Sequence, residues 1–405
     1  QVISNPDELL LFLTTMTDDG SRCHATAVNG DDGGRLWQRQ LGVQAVGDPI
    51  ALADRTVVID ASGQSVEIPV PSPGASPESD DLVEPAADFA LPHDLTGGDV
   101  MRLRAADGAI YLAAALDGGK TIAVRALDSR DDWRKFALVE RLQGRPAVAG
   151  EFLVVPCADG RIYRLRLDGR PSGLANEQTF RWSRETDPGP DEAEIYPLAS
   201  DAILVCDAKR RLRRLEFETK DLISQWMPLG EAYESPHPLT GACLVAKDRI
   251  YVADAAGDVH ALDVRNPARH WQAWSLGGRV TGDLVNHDDC LFAVVDERRL
   301  ACLAIGGEEQ AEQPRWVAKE FGGRIRGAPT VAGEVLLVTD GSRHISGLRR
   351  GNGELLWRQE LGPRTGPAAA AAPLGKQQMI LPLVDGSLLI VPMPAQADEL
   401  VERSP

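Results

Sequence analysis

Ala27-Val28-Asn29-Gly30-Asp31-Asp32-Gly33-Gly34-Arg35-Leu36-Trp37 is the stretch on which the reading of this chain turns. It sets a small residue, a turn-forming polar residue, a glycine and a tryptophan at fixed offsets. The pattern recurs as Gly347, Arg349, Gly353 and Trp357, and as Ala261, Asp263, Pro267 and Trp271. A looser copy keeps Ala126 and Asp128 and closes on Phe136. With Phe89, Trp182, Trp226 and Trp316 added, large aromatics punctuate the chain at eight places, 41 to 52 residues apart. A near-constant period of about 45 residues marks repeated supersecondary units.

Each repeat reads as four short strands joined by tight turns, with almost no 3.6-residue periodicity anywhere. The plainest is the last full one: 326–331, 335–339, 344–348 and 355–361. Such a sheet cannot bury both faces alone, so radial stacking into an all-β propeller of four-stranded antiparallel blades supplies the core. The aromatics Trp37, Phe89, Phe136, Trp182, Trp226, Trp271, Trp316 and Trp357 are read as structural docking residues, with Trp37, Trp271 and Trp357 equivalent. Three further strands, 367–373, 378–383 and 387–391, follow the eighth repeat. Gln1 to Ser4 supplies either an inner strand of repeat one or the outer strand of this last blade, closing the ring through the termini. Eight blades is the reading adopted; nine stays open.

The repeated motif resembles the tryptophan-docking motif of quinoprotein-like (PQQ-repeat) β-propellers. That family includes quinoprotein alcohol dehydrogenases and the propeller lipoprotein of the outer-membrane β-barrel assembly machinery. The resemblance covers essentially the whole chain and implies the fold. Its motif residues are structural and say little about function. Asn29 and Arg349 stand where the family has Asp, and Phe89 and Phe136 where it has Trp.

A propeller is one closed unit, so residues 1–405 are read as a single domain. Residues 69–88, rich in Pro, Ser and acidic side chains, form a loop insertion. Polar stretches at 169–179 and 185–194 lengthen the loops around Trp182; specificity and neutral drift are both open for them. The net charge is −17, with 43 basic and 60 acidic residues, which argues against a basic nucleic-acid binder. No apolar run is long enough to span a bilayer, so no direct membrane insertion is expected. No export signal is legible. Gln1 is not an initiator methionine, so the numbered chain is read as trimmed, processed or excised from something larger.

Cys23, Cys157, Cys206, Cys243, Cys290 and Cys302 lie mostly in apolar strand contexts and are read as buried free thiols. A Cys290–Cys302 disulfide is the alternative. Free thiols favour a reducing, cytoplasmic compartment; a periplasmic or extracellular one is the alternative.

Propeller turns alternate between two faces. One face gathers Asp54, Asp107, Glu151, Asp201, Asp248, Asp289 and Glu334, for which turn capping is the competing explanation. The other gathers Lys120, Arg161, Lys209-Arg210-Arg211, Arg298-Arg299 and Arg343. To it belong also Arg145, Arg279, Arg324 and Arg364, each just after an inter-blade glycine turn. Tight turns do not require Arg, so these four are the candidate site for an anionic partner, which guanidinium groups hold bidentately.

The enzymes of the resembled family use an adjacent Cys-Cys pair, an acidic calcium site and in some cases a C-x-x-C-H haem motif; no two cysteines are adjacent here and there is no C-x-x-C-H. The seven histidines show no H-x-H or H-E-x-x-H spacing, and there is no P-loop, G-x-S-x-G or dinucleotide fingerprint. No catalytic residue, cofactor or metal ligand is therefore assigned. The expectation is a non-enzymatic scaffold for protein–protein contacts in a bacterial multiprotein assembly, its partner bound through an acidic segment. A quinoprotein-like enzyme or small-anion binder, and an envelope assembly factor, are the alternatives.

Overall fold

A computed structural model of the chain describes residues 10–16, 23–29, 35–41, 49–51, 55–59, 65–69, 100–127, 133–169, 180–181, 193–207, 210–220, 223–246, 248–305, 313–318, 321–361, 366–374, 378–384 and 388–392. No α-helix occurs among them, and one 3-10 turn spans Asp117–Gly119. The described strands form nine sheets, and the chain divides into two compact units, 99–321 and 1–98 with 322–405.

The unit of residues 99–321 holds the third to seventh sheets, each built on an antiparallel meander of four consecutive strands; the fifth adds Gly144–Arg145, parallel to its first strand, and Tyr233–Glu234 beside its third. The third runs from Val100–Arg104 to Arg134–Ala137, the fourth from Ala147–Ala149 to Phe180–Arg181, and the fifth from Ala193–Pro197 to Ile223–Pro228. The sixth consists of Leu239–Ala246, Arg249–Asp254, Asp258–Asp263 and His270–Ser275. The seventh consists of Val280–His287, Cys290–Val295, Arg299–Ala304 and Trp316–Val317.

In the other unit, the first sheet consists of Leu10–Met16, Cys23–Asn29 and Arg35–Leu41, and the second runs from Ile50–Ala51 to Ser65–Pro69. The eighth consists of Thr330–Ala332, Val335–Asp340, His344–Arg349 and Leu355–Glu360. The ninth runs from Ala372–Leu374 to Leu388–Pro392.

Burial explains the strand chemistry. Cys290–Val295 and Val335–Asp340 are buried along their whole length, so they read as continuous apolar runs. Fourth strands such as Leu355–Glu360 are mostly exposed and carry the charges. The core is accordingly a series of layers between successive sheets. Val154 and Ile162 meet Ile195 and Val205, and Tyr251 and Trp274 meet Leu291 and Leu303. In the first-sheet unit, Ala372, Leu374 and Ile380 of the ninth sheet pack on Val58 and Ile68 of the second. Thr56 Oγ1 donates to the Pro373 carbonyl at 3.1 Å. The ninth sheet thus meets the second without the first between them.

The aromatic punctuation falls on last strands. Phe136, Trp226, Trp271, Trp316 and Trp357 lie on the fourth strands of their sheets, and Trp37 on the third strand of the first. Phe89 and Trp182 lie outside the described residues. Trp37 sits opposite Ala27 and Trp357 opposite Gly347, each just before a bulge in the register. A Cβ on Gly347 would come within 2.3 Å of the Trp357 ring, which is why the motif opens on so small a residue. Trp271 departs from this equivalence. In the sixth sheet Ala261 faces Gln272, and Trp271 falls in the bulge. The wholly buried ring there is Trp274, 6.4 Å from Tyr251, while Trp271 lies half-buried between the guanidinium groups of Arg249 and Arg269. Trp226 is buried edge-on against Phe217 at 5.2 Å, and Trp316 against Phe292 at 6.0 Å.

The loop insertion read at 69–88 lies, beyond Pro69, outside the described residues, as does nearly all of 185–194. Cys157, Cys206, Cys243, Cys290 and Cys302 are free thiols, so the alternative Cys290–Cys302 disulfide is not formed.

Candidate arginine site on the strand-entry turns

The turn between second and third strands is tied by one recurring hydrogen bond to the chain entering the first strand. The turn N–H of Ala158 donates to the carbonyl of Arg141, Ala255 to Pro238, Asp296 to Arg279, Gly341 to Arg324 and Val384 to Gly366, at 2.7–2.9 Å. This bond defines a common position, and three arginines occupy it: Arg141, Arg279 and Arg324, all exposed.

Arg145 is therefore not equivalent to Arg279 and Arg324, and Arg141 takes its place. Gly144 (φ +115°) follows a different rule from the other glycines. A Cβ there would lie 2.0 Å from the Ala193 carbonyl, because Gly144–Arg145 pairs in parallel with Ala193–Glu194 of the next sheet. The glycine that marked Arg145 in the sequence serves this close strand approach and not a turn. Arg145 donates from Nη2 to the Arg102 carbonyl at 3.0 Å. With Met101, Arg102, Gly144 and Glu194 it lines a cavity of 430 Å³. Arg364 lies outside the described residues; Gly366 holds the common position in that sheet.

Three other cations on the same turns are paired. Arg299 contacts Asp296 at 2.7 Å, Arg211 contacts Glu234 at 3.3 Å, and Arg343 contacts Glu360 at 3.8 Å. The Arg299 hydrogen bond holds the Asp296 carboxyl below the usual carboxylate range. Among the described residues, the guanidinium groups of Arg141 and Arg279 make no hydrogen bond or ion pair.

The opposite turns carry the acids. The carbonyls of Glu151, Asp201, Asp248, Asp289 and Glu334 accept the N–H of Leu167, Phe217, Val264, Ile305 and Arg350, which places all five at one structural position. Asp107 is not one of them: that place belongs to Ile110, and Asp107 caps its own turn through the Ala109 N–H. Asp54 lies outside the described residues. Three of the five acidic side chains are answered locally. Glu151 pairs with Arg166 at 2.9 Å, Asp289 with Arg315 at 2.9 Å, and Glu334 with Arg350 at 2.8 Å. The expected contrast of an acidic face and a basic face is thus weaker than the residue types imply, and among the described residues Arg141 and Arg279 keep exposed guanidinium groups without an ion pair.

The repeated four-stranded sheets and their docking aromatics define a β-propeller built of PQQ-like repeats. A family model described as outer membrane protein assembly factor BamB matches residues 96–359 and, again, 276–394. The chain belongs to that family. Among solved structures it is similar to BamB from Moraxella catarrhalis, with 13% identity, 86% of this chain and 98% of that chain covered, and a TM-score of 0.55. It is also similar to the computationally designed Ika8 protein, with 14% identity, 87% and 98% covered, and a TM-score of 0.58. No curated protein matches it. Among the described residues no helix is long and apolar enough to cross a membrane.

Proposed function

We propose that this chain is a non-enzymatic propeller scaffold that holds a partner protein through an acidic segment bound at the strand-entry arginines. One observation carries the reading: the same blade position is filled by Arg in three sheets, and two of these guanidinium groups are exposed and unneutralised within the described residues, while three of the five acidic turn residues are paired by arginines of their own. In a protein of net charge −17, exposed cations held at a fixed place on a rigid turn form a geometry suited to carboxylates. The family's description as an outer membrane protein assembly factor supports a role in assembling other proteins. The net negative charge opposes nucleic acid as the partner.

The test is fluorescence anisotropy of a labelled Glu/Asp-rich peptide with the purified chain. Binding that weakens with salt and falls at least tenfold in Arg141→Glu/Arg279→Glu, with an unchanged melting temperature, is the expected result. Equal binding by parent and double variant would remove the site from the account.

A further inference from the structure

The second strand of the sixth sheet ends on Asp254, which is wholly buried. Its Oδ1 accepts the backbone N–H of Ala256 at 2.9 Å and of Asp258 at 3.1 Å, closing the turn. Its Oδ2 lies 3.1 Å from Nε2 of His260, itself buried. The other ring nitrogen of His260, Nδ1, lies 3.4 Å from Nε2 of His270, and the Tyr233 ring stacks on His270 at 6.5 Å and lies tilted beside His260 at 5.6 Å. Asp258, half-buried on the same turn, completes a group in which one donor atom each from Asp254, Asp258 and His260 falls within 4.8 Å of the others.

The eighth sheet shows what this place ordinarily requires. Asp340 ends the corresponding strand, is equally buried, and caps its turn through the N–H of Ser342 and His344. Its Oδ2 accepts a hydrogen bond from Arg358 at 3.2 Å. Arg358 reaches it from opposite Ser346 in the register. In the sixth sheet the matching pair is His260 opposite Ala273. The guanidinium is gone, and a ring that can coordinate stands where the serine was. A buried carboxylate that keeps its charge needs a cation or strong donors.

We propose that Asp254, Asp258 and His260 form a binding site for one divalent first-row transition ion, with Zn2+ as its representative, in the place of the lost guanidinium. Two carboxylate oxygens and one imidazole nitrogen suit a borderline ion better than Ca2+ or Mg2+, which favour all-oxygen shells. His260 coordinates through Nε2 and donates its Nδ1–H to His270 Nε2, so that His270 fixes tautomer and ring orientation from behind.

The test is calorimetric titration of the chelator-stripped, tag-free chain with ZnCl2. One Zn2+ per chain is expected, with binding weakened at least tenfold in Asp258→Asn and lost in His260→Gln. His270→Gln should keep a stoichiometry of one with affinity about 10–100-fold lower. Millimolar Mg2+ or Ca2+ should not displace the ion. Asp258 lies on a half-buried turn, so Asp258→Asn tests the site even where His260→Gln does not fold. Absence of saturable Zn2+ binding, or binding unchanged in Asp258→Asn, which would place the ion elsewhere such as on the thiols, would overturn the proposal.

Discussion

Asp254 and Asp340 close the same turn of two different blades, yet only Asp340 has a guanidinium, that of Arg358, on its second carboxylate oxygen. Repetition makes such comparisons informative. Where the backbone is held constant, a difference in side chains shows what each blade has kept or released.

Arg358→Ala should leave Asp340 buried with its charge under-compensated. Arg358 is itself partly solvated, so the loss should be about 1–3 kcal/mol, short of the 3–5 for a fully buried pair. Chemical denaturation of the variant checks this, and an unchanged midpoint would show that Ser342 and the turn amides suffice for Asp340.

The docking rings should divide by burial and not by motif position. Trp274→Ala and Trp226→Ala should each cost about 3–5 kcal/mol, and Trp271→Ala clearly less, because Trp271 is only half-buried in its bulge. Gly347→Ala should cost about 1–3 kcal/mol through the clash with Trp357. Thermal melts rank the four. Equal loss at Trp271 and Trp274 would contradict the register described.

The buried thiols should be inert in the folded chain. Burial pushes Cys157 up to about 12, and it raises Cys302 beyond the ordinary thiol range. At pH 8 neither supplies appreciable thiolate. A chromogenic disulfide reagent should leave Cys157, Cys206 and Cys302 unlabelled in the native state and label them once the chain is denatured. Rapid native labelling of Cys157, read by mass spectrometry, would contradict the packing.

The hydrogen bond from Arg315 holds the Asp289 carboxyl below its usual value of 3.8. A depressed folded value means that the pair's contribution is present above the unfolded pKa and is lost as pH falls through the folded one. Stability of the parent should therefore fall more steeply with acid below about pH 4 than that of Asp289→Asn, the two curves converging at the lowest pH. Denaturation midpoints across pH 2–6 measure this, and parallel curves would show that the pair is fully screened.

Much of the architecture was legible in the sequence. The aromatic period located the last strand of six sheets, at Trp37, Phe136, Trp226, Trp271, Trp316 and Trp357. The strands read at 335–339 and 344–348 lie within a residue of those observed. What escaped were facts of register. A glycine before Arg145 looks like the glycines before Arg279 and Arg324. Only the parallel approach of Ala193 shows that Gly144 serves another purpose and that Arg141 holds the common position. Trp271 and Trp274 are both three-dimensional candidates for one slot, and a bulge decides between them. H-x-H and H-E-x-x-H spacings do not capture the His260 site. The Asp254-x3-Asp258-x-His260 group spans a turn, and its meaning rests on Ala273 standing where the eighth sheet has Arg358.

The central claim, that the strand-entry arginines hold a protein partner, is tested most directly by quantitative recovery of bound proteins. Tagged parent chain and its Arg141→Glu/Arg279→Glu variant, expressed at equal levels in the native cells, are captured at low and moderate salt and their co-purifying proteins quantified. The account predicts at least one partner carrying an exposed acidic segment, recovered with the parent in a salt-dependent manner and reduced tenfold or more with the folded variant. Recovery of the same partners in the same amounts by parent and variant would contradict it.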